Sequence, residues 1–194
     1  MSRNPLDEAV SALKVGGVVI CPTDTVYGFL ADAGNKKAVE KIFKIKKRPG
    51  SKPLPVFVKD LKMAKELAEI NERQEKILKK RWPGKYTFVF KSKRRPDLFL
   101  SLTKFSERSG LPQTIALRIP QYKFLNNLLK KINRPLAQTS ANVSGEPAMA
   151  KISDILQKFG ERRFEVLVID AGNLKKKKPS KIYDLTLARP ERLR

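Results

Sequence analysis

Val18-Val19-Ile20-Cys21-Pro22-Thr23-Asp24-Thr25-Val26-Tyr27-Gly28 opens the stretch that decides the fold, and Leu54-Pro55-Val56-Phe57-Val58 closes it. Gly16-Gly17 and Pro22 bound an uninterrupted apolar run, which predicts a strand buried on both faces, as inside an α/β sheet. Asn35 is placed to cap a helix in which Ala38, Val39, Ile42, Phe43 and Ile45 recur at helical spacing. At about 100° per residue, Lys46 projects into the middle of that apolar stripe. A buried ammonium is costly unless something meets it. Either an anion, carboxylate or ligand phosphate, lies beside Lys46, or the side chain snorkels off the last turn, where cations suit the helix dipole. Pro49 disfavours helical backbone at Arg48, so Lys46, Arg48 and Lys52 are expected to leave one short kinked loop in different directions. Arg48 can hold a phosphate bidentately, and the lysines act as point charges. The carboxyl side of the first strand is therefore the candidate active site.

Outward from this stretch, Asn4-Pro5 predicts a capped helix ending at Gly16. Residues 54–58 read as a strand, Asp60 and Asn71 as caps of two further helices, and Pro83-Gly84 as the end of the second. Residues 86–90 and 114–119 read as strands, and Phe124 to Leu129 as an amphipathic helix. Leu136 to Thr139 is a short strand delivering Ser140-Ala141-Asn142 into a turn. Ser153 is expected to cap a helix to Phe159, followed by strands at 165–169 and 182–185. Residues 91–113 show no sustained period and read as a basic loop, a lid or RNA contact if not a solvated connector. Lys175 to Lys178 reads as a solvated charge run. Alternating strands and helices give an α/β fold with a single-domain twisted mixed β-sheet flanked by helices, and one domain over 1–194.

The chain of 194 residues is long enough for a substantial core, and 41% hydrophobic content argues against disorder. No apolar run reaches the roughly 20 residues of a membrane span, and the polar start and single Cys predict a cytoplasmic protein. A net charge of +23 implies anionic partners, nucleic acid or nucleotides, unless it reflects a basic proteome. The absence of His removes Ser-His-Asp and Cys-His chemistry and histidine general bases. Neither G-x-x-x-x-G-K-[ST] nor G-x-G-x-x-G occurs, so a bound nucleotide must be held by side-chain cations and hydroxyls. Thr23 to Thr25, Thr114, Thr139 to Ser144 and Ser180, with Lys46, Arg48, Lys52 and Arg118, describe a basic, anion-binding cleft at the sheet's edge.

Pro22-Thr-Asp-Thr-Val-Tyr-Gly28, Lys46-Lys-Arg48-Pro49, Lys52-Pro53-Leu54, Thr114-Ile-Ala-Leu-Arg118-Ile-Pro, Ser140-Ala-Asn142-Val-Ser-Gly145 and Pro179-Ser180 before Asp184-Leu185-Thr186 closely resemble the YrdC/TsaC family of threonylcarbamoyl-adenylate synthases. The resemblance covers nearly the whole chain in the family's order and implies a YrdC/RibB-like fold. It implies that L-threonine, bicarbonate and ATP become threonylcarbamoyl-AMP and pyrophosphate, with Mg2+, for the threonylcarbamoyladenosine (t6A) modification of tRNA. It also implies downstream threonylcarbamoyl transferase proteins. By this resemblance Thr25, Arg118, Gln138 and Ser180 contact threonine. Arg48, Lys52, Thr114, Ser140 and Arg194 contact ATP, and Lys46, Arg48, Ser140 and Asn142 form the catalytic tetrad, with no protein metal ligand assigned. The expected division of labour has Lys46 and Arg48 stabilising phosphates while Ser140 and Asn142 orient them.

Three departures bear on that reading. Phe57 stands where some relatives carry a threonine-touching His, and Lys181 follows Ser180 where Thr is usual. The sequence ends at Arg194 where many relatives continue, so that contact is expected to fray. The alternative is an RNA-binding protein, or a non-synthase paralogue on the same fold, engaging tRNA or double-stranded RNA through a basic surface.

Overall fold

The computed structural model describes residues 4–50, 52–93, 114–159, 166–175 and 177–194. Asn4 Oδ1 accepts from Leu6 N and starts α1 (Pro5–Lys14), which feeds β1 (Val18–Cys21). The chain then doubles back as β2 (Gly28–Asp32), antiparallel to β1 with Cys21 opposite Gly28 and Val19 opposite Leu30. The sequence reading passes over β2, whose core is only Phe29-Leu30-Ala31. The Thr23-Asp24-Thr25 turn thus joins two paired strands.

Asn35 Oδ1 accepts from Ala38 N and caps α2 (Lys36–Lys46). Lys47, in the left-handed region at φ 50°, ends that helix before Pro49 can act, and Arg48 N reaches back to Phe43 O. Pro53 and Pro55 have no N–H to give a ladder, so the return strand β3 is only Val56–Phe57, shorter than the expected 54–58. Asp60 caps α3 (Leu61–Leu67), and Asn71 with Gln74 forms a capping box on α4 (Glu72–Arg81). There follow β4 (Tyr86–Lys91), β5 (Thr114–Arg118), α5 (Lys123–Ile132) and β6 (Leu136–Ser140). Then come α6 (Ile152–Phe159), β7 (Val166–Val168), β8 (Lys181–Asp184) and β9 (Glu191–Arg192). Ser153 lies inside α6, and the Ile152 amide is met instead by Asn173 Oδ1 at 3.1 Å. Most of the expected basic loop, residues 94–113, lies outside the described residues.

The described strands form one mixed sheet in the order β7-β1-β2-β6-β3-β5-β4-β8-β9. Alternation along the strands sends Val18, Ile20, Phe29 and Ala31 to one face, where they pack with apolar side chains of α2, α3, α4 and α6. Val19, Cys21, Leu30, Phe57 and Leu136 point to the other face and pack under α1 and α5. No described helix is long and apolar enough to cross a membrane.

Tyr27, fully buried, ties the β1–β2 turn to the distant 170s loop: its hydroxyl donates to Gly172 O (2.7 Å) and accepts from Ala171 N (3.0 Å). Tyr27→Phe removes both bonds without changing the ring. Chemical denaturation is expected to show a loss of about 1–3 kcal/mol, and an unchanged midpoint would show that this tether carries no stability.

Candidate active site

Lys46 is 1% exposed, so it is buried as its spacing in α2 predicts. What meets its charge is neither a carboxylate nor solvent. Nζ donates to Ser140 O (2.5 Å), Asn142 O (2.7 Å) and Asn142 Oδ1 (3.0 Å), and sits 5.6 Å from the centroid of the Phe29 ring. Three neutral acceptors and an aromatic face satisfy the ammonium without a counter-charge. Burial, and then the like charge of Arg48, push its pKa down to about 7.

Asn142 is equally committed. Its Oδ1 also accepts from Ser140 Oγ (2.7 Å), and its Nδ2 donates to Val143 O (2.9 Å) and Glu146 O (2.6 Å). Both amide hydrogens and both oxygen lone pairs are therefore used within the protein. Lys46 spends its hydrogens on the Ser140-Ala141-Asn142 turn, and Asn142, bonded within that turn, also lines the cavity above it.

Above that turn a cavity of about 330 Å³ is lined by Thr25, Arg48, Arg118, Gln138, Ser140 and Ser180, with Arg194 at its side; its volume suits a small-molecule site. Leu136, Gln138 and Ser140 alternate onto one face of β6. Phe57 pairs with both Leu136 and Arg118, so Arg118 shares that face. The cavity therefore opens on the middle of the sheet, not at its edge as expected. Lys52 and Thr114 are exposed and do not line it. Thr114 starts β5 on the same face as Arg118, four residues and roughly 13 Å along the strand.

Arg118 is buried, its Nε donating to Gly84 O (2.9 Å) and its Nη2 to Asp24 Oδ2 (2.5 Å). Its guanidinium carbon lies 5.6 Å from the centroid of the Phe57 ring. Phe57 is thus packing beneath Arg118 and does not line the cavity. Asp24 Oδ2 also accepts from Gln121 N (3.3 Å), while Asp24 Oδ1 is buried with no partner. Arg48 is braced by its own loop, Nε on Lys52 O (2.9 Å) and Nη2 on Pro53 O (3.0 Å).

Arg194 does not fray. β9 pairs with β8, and the Arg194 guanidinium donates twice to Ser180 O, at 3.3 and 3.2 Å. Burial holds Arg48, Arg118 and Arg194 below the ordinary arginine range, and the like charge of Arg194 depresses both of the others. Asp24 offsets only Arg118. Lys177 also lines the cavity, although its run reads as solvated. The signal for it was the two-residue distance from Lys177 to Pro179-Ser180. Glu146, a cavity-lining carboxylate, pairs with Lys158. Lys181 points to the opposite face, 5.8 Å from the centroid of the Tyr86 ring.

Thr25 offers a complementary group. Thr23 Oγ1 gives its single hydrogen to Val26 O (2.6 Å), so the 3.0 Å bond between Thr23 and Thr25 hydroxyls is donated by Thr25. Thr25 Oγ1 therefore faces the cavity as an acceptor.

The family model Sua5/YciO/YrdC, described as "Telomere recombination", matches residues 11–194. The chain belongs to the Sua5/YciO/YrdC family. The match spans every cavity-lining side chain named above. Threonylcarbamoyl-AMP synthase of Vibrio vulnificus is 30% identical over 191 residues, covering 97% of this chain and 96% of that protein. The Bacillus subtilis protein of the same name is 34% identical over 149 residues, 76% of this chain and 41% of that one. Among solved structures, P. abyssi Sua5 complexed with L-threonine superposes with a TM-score of 0.84 at 29% identity, covering 100% of this chain and 55% of that one. E. coli YciO shares the Sua5/YciO/YrdC fold with a TM-score of 0.84 at 24% identity, over 100% of this chain and 90% of that one.

Lys46 gives a pH signature. Its folded pKa lies below the unfolded lysine value, so between about pH 7 and 10.5 the unfolded chain binds the extra proton and unfolding becomes costlier as pH rises. Denaturation midpoints of the wild type are therefore expected to gain on those of Lys46→Met from pH 7 to 10. Parallel pH profiles would contradict the assignment.

Proposed function

We propose that this chain is an L-threonylcarbamoyladenylate synthase, a nucleotidyltransferase that makes threonylcarbamoyl-AMP and pyrophosphate from L-threonine, bicarbonate and ATP for tRNA t6A modification. The observation that carries this reading is the convergence of Arg48, Arg118 and Arg194 on one cavity with a carboxylate compensating only Arg118. That surplus of fixed positive charge favours a polyanionic substrate.

The positions divide into two halves. Arg118, pinned by Asp24 and Gly84, receives the threonine carboxylate, and Thr25 Oγ1 accepts from the amine. Ser180 and Gln138 complete that half. Arg48, Arg194 and Lys177 face the nucleotide phosphates with Ser140. The threonine nitrogen bonds to the bicarbonate carbon with loss of water, a carbamate oxygen attacks the α-phosphorus, and pyrophosphate leaves. The charge that grows on the phosphate oxygens is met by groups already held in place, which need no reorganisation as the reaction proceeds.

Among the described residues no group of three His, Cys, Asp or Glu is placed to hold a metal, and Glu146 is engaged by Lys158. Magnesium, which is held largely through substrate phosphates, enters as the counter-ion of ATP. The product passes to threonylcarbamoyl transferase proteins in the cytoplasm, and the whole chain acts as one catalytic domain.

Incubation with ATP, magnesium, threonine and bicarbonate is expected to yield pyrophosphate and a threonylcarbamoyl-AMP mass, and neither when bicarbonate is omitted. Arg118→Lys loses the planar fork and is expected to raise the threonine KM roughly tenfold or more, the loss of a charge-assisted contact. Bicarbonate-independent product, or none from the wild type, would overturn the reading.

A further inference from the structure

Lys46 and Arg118 are buried alike, 1% and 3% exposed, yet they are met differently. Lys46 is satisfied by three neutral acceptors and no carboxylate. Arg118 has the neutral carbonyl of Gly84 and, in addition, Asp24 at 2.5 Å. Burial of a cation therefore does not by itself call for an acid in this fold. Hydrogen bonding does not call for one either. Asp24 Oδ2 takes both bonds, from Arg118 Nη2 and from Gln121 N, and an asparagine oxygen accepts the same two. Asp24 Oδ1 is buried with no donor, so half of the carboxylate makes no bond at all. What the acid alone supplies is its charge.

That charge acts on one arginine of three. Arg48 is braced by Lys52 O and Pro53 O, and Arg194 by Ser180 O, all carbonyls. Glu146, the carboxylate on the lining, pairs with Lys158. Seen from a ligand across the cavity, Arg118 and Asp24 cancel, while Arg48, Arg194 and Lys177 do not. Close contact is not cancelled. Two of the five N–H groups of Arg118 are engaged, and the other three have no acceptor among the described residues. Arg118 thus keeps donors for a carboxylate and loses the long-range pull that draws a polyanion. A zwitterionic amino acid has no net charge, and its ammonium is not repelled by a neutral pair. A triphosphate gains most where the cations are uncompensated. Asp24 does not line the cavity, so it acts through Arg118 and touches no ligand.

We propose that Asp24 is a positioning residue that divides the cavity between two ligands, cancelling the charge of Arg118 so that this arginine takes a zwitterion and refuses polyphosphate. That the zwitterion is threonine and the polyphosphate that of ATP rests on the synthase reading. The division by charge stands without it.

The test is isothermal titration of the full chain with inorganic tripolyphosphate and with L-threonine. Asp24→Asn keeps an acceptor for Gln121 N and removes the charge. It is expected to bind tripolyphosphate about tenfold tighter or more than the wild type, the effect of unmasking one charge in a partly buried site. That gain is expected to vanish in Asp24→Asn/Arg118→Gln. Saturating tripolyphosphate is expected to leave threonine binding to the wild type unchanged, whereas in Asp24→Asn the two ligands compete. In turnover, Asp24→Asn is expected to show a raised threonine KM and an inhibition by excess ATP that threonine relieves, a pattern that a loosened fold does not produce. Circular dichroism checks that each variant folds, and if Asp24→Asn does not, the wild-type competition decides. Wild-type tripolyphosphate affinity in Asp24→Asn would overturn the proposal. So would a gain that survives the loss of Arg118, or competition between the two ligands in the wild type. Failure of the wild type to form product would remove the synthase reading, and the tripolyphosphate affinities would still decide the division by charge.

Discussion

One ammonium group organises the catalytic half of the molecule. Lys46 leaves the last turn of α2, crosses beneath β6 and gives its three hydrogens to Ser140 and Asn142. The same turn is held from two other sides: Ala141 N donates to Tyr27 O, and Ser144 N to Lys46 O. Helix α2, the β1–β2 hairpin and the turn after β6 thus meet at one buried charge. Truncating that side chain would take a donor from all three acceptors; Ser140 O keeps Asn142 N and Asn142 Oδ1 keeps Ser140 Oγ, while a carbonyl left unpaired away from water costs about 1–3 kcal/mol. The arrangement is stable because its parts satisfy each other completely, and it leaves Ser140 facing the cavity on a rigid support.

Around that support the electrostatics are deliberately unbalanced. Three guanidiniums share one cavity, each braced by backbone carbonyls, and two of them feel the charge of Arg194. Carbonyl bracing fixes the direction of the arginines without neutralising them, which a carboxylate would do. Asp24 is the exception: it anchors Arg118 on one side and keeps a buried, unpaired oxygen on the other. A site prepared in this way gains most when charge develops on the substrate.

Much of this was legible in the sequence because it followed from period and punctuation. The burial of Lys46 came from its place in the α2 stripe, and Asn35, Asp60 and Asn71 cap as their types predict. What met Lys46 was not legible, since backbone carbonyls 94 and 96 residues away leave no mark in composition. Strand β2 was missed because Phe29-Leu30-Ala31, between Gly28 and Asp32, looks like a loop until a hairpin pairs it. β3 was overestimated because its prolines limit the ladder. The position of the cavity on the sheet's face, not its edge, depends on the Leu136–Phe57–Arg118 register, which only pairing can set. Lys177 hid inside a charge run of the kind that is usually solvated.

Of the tetrad that the resemblance implies, Arg48, Ser140 and Asn142 line the cavity, and Lys46 bonds to the turn that carries two of them. A crystal structure of the chain with L-threonine and a non-hydrolysable ATP analogue tests this most directly. The account predicts that Lys46 Nζ keeps its bonds to Ser140 O, Asn142 O and Asn142 Oδ1 while guanidiniums reach the phosphates. A Lys46 ammonium swung out of that turn onto a phosphate oxygen would contradict it.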